Sequence, residues 1–191
     1  MWKKGYNGID IGNSEQVIVA DSYGTECKLS FYEKIGNNWI CSIQTSGVVG
    51  KNGVSSESFE GDYCTPCGKY SLGFAFGTKR LSDIKTEYRQ ITNNSYWVDD
   101  PESSFYNQWV ESQDKLHWNS AEHLIDYQQA YKYGVVIEYN MSPVIPYKGS
   151  AIFLHCMTSS YTAGCVAIPE DDMLMILKKL DSSKSPIIII G

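Results

Sequence analysis

Residues 150–191 leave this chain few folds to choose from. An apolar run, Ser150-Ala-Ile-Phe-Leu-His155, reads as a buried strand that ends on a histidine. A polar loop follows, then Thr162-Ala163-Gly164-Cys165, which sets a thiol beside a glycine turn. Pro169 suits the first position of a helix. Glu170-Asp171-Asp172 put negative charge at the positive end of its dipole, and Lys178-Lys179 put positive charge at the other. Met173, Leu174, Ile176, Leu177 and Leu180 fall on one face at helical spacing. Ser182-Ser-Lys-Ser-Pro186 breaks the helix, and Ile187–Ile190 reads as a buried closing strand.

Most of the remaining chain supplies strands. Gln16–Ala20 is one. Lys28–Lys34 alternates in part, Gly36-Asn37-Asn38 is turn chemistry, and Trp39–Gln44 returns. That hairpin sets Cys41 opposite about residue 32. Cys27 then lies about five residues out of register, roughly 16 Å along the strand, so no Cys27–Cys41 disulfide is expected. Gly47-Val-Val-Gly-Lys-Asn-Gly53 reads as a glycine-punctuated turn, residues 54–68 as irregular, and Lys69–Phe76 as a strand. Residues 80–133 are less regular. Trp97-Val-Asp-Asp-Pro101 reads as a turn and Ser120–Ile125 as the opening of a short helix. Tyr133–Tyr139 is rich in β-branched residues and reads as a strand, and Pro143, Pro146 and Gly149 bound a loop. There is no repeat and no interdomain linker. The expectation is a single mainly β domain with a few helices, spanning residues 1–191, with the N-terminal hairpin region (about residues 1–46) part of it.

Charge narrows the partners. Sixteen basic residues against 22 acidic ones leave −6, and no basic cluster exceeds Lys3-Lys4 or Lys178-Lys179. That argues against nucleic acid and against an anionic membrane surface. No apolar segment reaches the roughly 20 residues that span a bilayer, and Met1-Trp-Lys-Lys-Gly-Tyr6 lacks the apolar stretch of a signal peptide. The 14 tyrosines and 5 tryptophans read first as sheet-face residues and second as groove-lining rings for sugars or peptides. His117 and His123, near Trp109 and Trp118, read as surface histidines, with a groove as the alternative.

His155 and Cys165 carry the chemistry. The thiolate is the nucleophile, and a neighbouring histidine or a helix N-terminus lowers a thiol's pKa. Both are expected here, since the Pro169 helix begins four residues after Cys165. Gly164 frees the backbone to turn, so that the N–H groups of Gly164 and Cys165 could meet a developing oxyanion. The competing reading is an inert buried cysteine and a hydrogen-bonded core histidine. Cys64-Thr-Pro-Cys67 is a Cys-x-x-Cys pair with no second pair of metal-ligand spacing. It reads as incidental or as a local disulfide, with redox activity and half a metal site as alternatives. Alternation points Cys156 away from the imidazole.

The segment from Ser150 to His155, followed by Thr162-Ala-Gly-Cys-Val-Ala-Ile168, resembles the catalytic signature of the L,D-transpeptidase (YkuD-type) family. Upstream, Gly50-Lys51-Asn52-Gly53 and Glu60-Gly-Asp-Tyr-Cys-Thr65-Pro66-Cys67-Gly68-Lys-Tyr70 resemble its acidic-glycine segment and its Thr-Pro-x-Gly-x-aromatic motif. The resemblance covers about residues 47–190. Ala163 stands where the more familiar signature has a second histidine, and the His-to-Cys interval is shorter, which suits a divergent branch. It leaves His155 the only base within the motif.

The resemblance implies a β-sandwich or barrel-like catalytic domain that performs cysteine-dependent acyl transfer on bacterial peptidoglycan stem peptides, with no cofactor and no metal. It implies Cys165 as nucleophile, His155 as base, Gly164 in the oxyanion turn, and Tyr161, Thr162 and Ala163 as substrate-binding residues. It also implies that the carbonyl of Cys156 orients the imidazole. The Trp97 turn and Tyr106-Asn107 would be structural or substrate-positioning. Hydrolysis at the same site, as an L,D-carboxypeptidase, and an inactive wall-binding module are the alternatives. A monomer is expected, in the cell wall or periplasm, with any export signal trimmed.

Overall fold

The structure, a computed structural model, describes residues 8–114 and 118–191. His117 lies outside them. In chain order the strands are β1 Gln16–Tyr23, β2 Glu26–Ile35, β3 Asn38–Val48, β4 Val54–Ser55, β5 Thr65–Pro66, β6 Gly68–Gly77, β7 Tyr88–Gln90, β8 Ser95–Val98, β9 Gln108–Glu111, β10 Ala121–His123, β11 Gly134–Ile137, β12 Phe153–Cys156, β13 Val166–Ile168 and β14 Ile187–Ile190. The helix α1, Glu170–Lys179, lies between the last two strands. Short 3₁₀ turns cover Leu124–Tyr127, Ala130–Lys132 and Ser182–Lys184.

The main sheet runs β11-β12-β13-β3-β2-β1-β14-β6-β7, and β11 also pairs with β6. That extra pairing turns the sheet back on itself as a barrel-like wall. The fold is mainly β, as the strand-rich sequence predicts. The β2–β3 hairpin turns at Gly36, whose φ is +60°, and pairs Tyr32 with Cys41 and Cys27 with Gly47. This is the predicted register, and all six cysteines are free thiols.

One face of the sheet holds the larger core. Ile18, Leu29, Phe31, Leu72, Val135, Leu154, Val166, Ile168 and Ile188 pack there with Met173, Ile176, Leu177 and Leu180 from the helix region. Each side chain of this size contributes about 1.5–3 kcal/mol on burial. The opposite face of β6, β11 and β12 carries Phe76, Val136 and Phe153 in a second cluster with Cys165, Trp97, Leu124 and Tyr131. The alternation of β12 decides the split: Leu154 and Cys156 face the helix, Phe153 and His155 the other side.

Four local expectations are corrected. Trp97 and Val98 are buried strand residues of β8, and only residues 99–101 turn, because Trp97 packs edge-on to Phe153 at 4.8 Å. Ala121–His123 is a strand paired with β8, with a single 3₁₀ turn after it, so no helix opens at Ser120. Strand β3 continues through Gly47 to Val48, and Gly50 bridges to Thr162. Pro169 caps α1 from outside, with ψ 143°, rather than taking its first helical position.

Together β8, β9 and β10 form a small sheet of their own. It packs over the second cluster and forms the far wall of the site.

Candidate active site

Strands β12 and β13 pair in parallel, with His155 opposite Ala167 and Leu154 opposite Val166. Cys165 therefore sits one strand over and two residues back from His155, on the same face. The two Cα atoms are roughly 8 Å apart from strand geometry. Both side chains line one cavity of about 360 Å³. Glu60, Asp99, Glu122, Tyr131, Tyr161, Ala163 and Gly164 also line it.

Cys165 is 7% exposed. Its thiol donates to the Ala151 carbonyl at 3.2 Å and its sulfur accepts from the Phe153 N–H at 3.3 Å. Burial, with the Glu122 charge adding to it, pushes the thiol well above its ordinary value, and the Phe153 N–H offsets only part. The expectation of a helix-activated thiolate is thereby corrected. Strand β13 is extended and stands between Cys165 and α1, so the helix N-terminus lies about 13 Å further along.

His155 is buried, and its Nδ1–H donates to the Cys156 carbonyl at 2.9 Å. Burial lowers its pKa from 6.5 to about 4, against the opposing pull of the Cys156 and Ala130 backbone. The ring is a neutral base held in one orientation. Tyr131 packs edge-on against it at 5.4 Å, and the Tyr131 hydroxyl donates to Glu122 at 2.6 Å. The resting site pairs a thiol with a neutral imidazole.

The turn before Cys165 is built by hydroxyls. Thr162 Oγ1 donates to the Cys165 carbonyl at 2.6 Å and accepts from the Gly164 N–H at 3.1 Å. The Gly164 N–H is thus committed within the turn. Thr65 Oγ1 also donates to the Cys165 carbonyl, at 3.1 Å, and accepts from the Gly50 N–H at 2.8 Å. Gly50 cannot carry a side chain, because a Cβ would come within 2.4 Å of the Tyr63 carbonyl. Gly164 has φ +153°, and a Cβ there would approach the Cys64 carbonyl at 3.1 Å.

Of the residues read from sequence as substrate-binding, Tyr161 and Ala163 are exposed at the mouth, and Thr162 is spent on the turn. The Lys51 ammonium lies over the Tyr161 ring at 5.8 Å. Cys64 and Cys67 flank β5, whose extended run separates their Cα atoms by about 10 Å, beyond the reach of a disulfide without breaking that strand. Among the described residues no cluster of His, Cys, Asp or Glu is suited to a metal. His123 is bonded to Asn93 and Asp126 and stacks on Tyr96, away from the cavity.

Sequence reasoning missed Asp99, Glu122 and Tyr131 as site residues. No spacing signals them, since they arrive from the small sheet and its 3₁₀ turns. Asn107, in its strained left-handed conformation at φ +58°, fastens that layer down. Its Oδ1 accepts from Trp97 Nε1 at 3.0 Å and from the Ala151 N–H at 3.1 Å. Ala151 is the residue whose carbonyl receives the Cys165 thiol.

The YkuD family model, described as an L,D-transpeptidase catalytic domain, matches residues 19–189. The match begins within β1 and takes in the β2–β3 hairpin, upstream of the motifs. The structure of Bdellovibrio bacteriovorus Bd1075 is similar at a TM-score of 0.48 and 15% identity, over 93% of this chain and 48% of that one. The chain therefore spans about half the length of that protein. No curated protein matches.

Proposed function

The chain belongs to the YkuD family of L,D-transpeptidase catalytic domains, and on that premise we propose that it transfers acyl groups between peptidoglycan stem peptides through a thioester on Cys165. One observation supports this most directly: Cys165 and His155 lie on one face of the β12–β13 pair and share one cavity. Residues 1–191 act as one catalytic domain in this reading, because β1 and β2 belong to the same closed sheet as β12 and β13. Among the described residues no helix is long and apolar enough to cross a membrane, and the substrate sets the place of action outside the cytoplasm.

The stem peptide's carbonyl, at the bond from the L-centre of its third residue to the terminal D-residue, sits against Cys165. The sulfur attacks as its proton passes to His155. The C–N bond breaks, and the D-amino acid leaves with the proton that His155 returns. The Cys165 N–H meets the oxyanion. With the thiol held up and the imidazole held down, proton transfer belongs to the attack itself. An amine of a second stem then resolves the thioester to a 3→3 cross-link, and water would resolve it to a tripeptide.

Incubation with tetrapeptide muropeptides, followed by mass spectrometry, tests this. Cross-linked dimers are the expected product. Tripeptides alone would mean an L,D-carboxypeptidase, and unchanged substrate would mean a binding module.

A further inference from the structure

The cavity holds more acid than a thiol and its base require. Glu60, Asp99 and Glu122 all line it, and among the described residues no lysine or arginine does. Two of the three are satisfied within the protein. Glu60 accepts from the hydroxyls of Tyr106 and Ser150, the latter at 2.8 Å, and Glu122 accepts from Tyr131. Asp99 differs: its Oδ1 is buried and has no hydrogen-bond partner among the described residues. A buried carboxylate oxygen without a donor costs about 1–3 kcal/mol, and a cation seated in the cavity that Asp99 lines would offset that cost by charge.

Among the described residues the groups that act on Glu122 are neutral or acidic. Tyr131 holds it from one side, Tyr127, Asp99 and Glu60 act on it electrostatically, and Cys165 and His155 share its cavity. Burial together with the Asp99 and Glu60 charges lifts its pKa to about 7, against the Tyr131 hydrogen bond. A carboxylate so placed attracts a cation and exchanges a proton near neutral pH.

We propose that Glu122 and Asp99, with Tyr131 bracing Glu122, form a cation subsite that receives the acceptor's ammonium group and takes a proton from it, leaving His155 to serve the sulfur. This rests on the acyl-transfer reading above. The acceptor arrives as R–NH₃⁺ and gives one proton to the Glu122 carboxylate. The freed lone pair forms the N–C bond to the thioester carbonyl. The C–S pair returns to Cys165, and a second N–H proton passes through His155 to the sulfur. Glu122 then releases its proton to water. The layer that carries Glu122 and Asp99 thus selects an amine acceptor over water.

The test is Glu122→Gln in the full chain, with tetrapeptide muropeptides as donor and acceptor and both products counted by mass spectrometry. The dimer-to-tripeptide ratio should fall by at least about tenfold. The wild-type ratio should rise with pH through neutrality, and that rise should vanish in the variant. Iodoacetamide should label Cys165 faster in the variant at the same pH, because a charge opposing the thiolate is gone. Structural damage would also speed the labelling of a buried thiol, so the loss of the pH-dependent rise in the ratio is the readout that separates the two. Asp99→Asn should raise the acceptor concentration needed for half-maximal dimer formation. Should Glu122→Gln fail to fold, Tyr131→Phe, which removes only the hydroxyl, must shift the pH profile of the ratio. An unchanged ratio and pH profile in these variants overturns the subsite. A wild-type protein that makes neither product overturns the acyl-transfer reading instead.

Discussion

Thr65 donates its hydroxyl proton to the backbone carbonyl of Cys165 at 3.1 Å, across 100 residues of sequence. The same oxygen accepts from the Gly50 N–H. Thr65 is fully buried. Two separate motifs of the sequence are thereby one object: the Thr-Pro segment braces the turn that presents the sulfur.

Thr65→Val keeps the shape and deletes both bonds. The Gly50 N–H loses its partner, at a cost of about 1–3 kcal/mol, and the Cys165 carbonyl keeps only Thr162. A lower urea midpoint and a loss of turnover larger than the stability change explains are expected. Equal turnover at full folding would show that the brace is dispensable.

Cys165→Ala should abolish product and leave no acyl adduct by intact mass. His155→Ala should slow adduct formation by about 10²–10⁴-fold, since no second histidine among the described residues lines the cavity. Rapid acylation of that variant would remove His155 from the base role.

Gly164→Ala puts a side chain at φ +153° and 3.1 Å from the Cys64 carbonyl. Backbone strain of this kind costs about 1–3 kcal/mol. The thermal midpoint should fall, and labelling of Cys165 by iodoacetamide should change as the turn shifts. An unperturbed midpoint would mean that the Cys64–Gly164 contact yields freely.

Two desolvated groups should bend the pH dependence of stability in opposite directions. His155 has its folded pKa lowered to about 4, so the unfolded chain binds more protons between pH 4 and 6.5. Its contribution is present above pH 6.5 and is lost as pH falls toward 4. Glu122 has its folded pKa raised to about 7, so its contribution is present below pH 4.5 and is lost as pH rises toward 7. Each effect is worth about 1–3 kcal/mol across its window. Denaturant titrations at pH 4.5, 5.5 and 7 check both. Relative to wild type, Glu122→Gln should gain stability as pH rises, and His155→Gln should gain it as pH falls. Parallel curves would mean that neither group is as buried as the structure has it.

Local periodicity carried much of the fold. The strands at Gln16, Lys28, Trp39, Lys69, Val135 and Ile187 follow from runs that only a sheet can bury, and the β2–β3 register follows from one turn. The helix face follows from its spacing, with Met173, Ile176 and Leu177 buried. Trp97 was misleading because Asp99-Asp100-Pro101 beside it has turn chemistry. Packing against Phe153 outweighs that signal and holds Trp97 and Val98 in a strand.

The sequence by itself determined which residues could react: a histidine at the end of an apolar strand, a glycine and a cysteine after it, and the order of the motifs around them. The tertiary structure decided the environment of those residues. The parallel pairing of β12 and β13 puts His155 and Cys165 on one face, and the extended β13 keeps the helix dipole away from the sulfur. The small sheet brings Asp99, Glu122 and Tyr131 over both. Pairing and layering join residues far apart in the chain, and the desolvation and charge that tune a thiol and an imidazole depend on those neighbours, which no local pattern encodes.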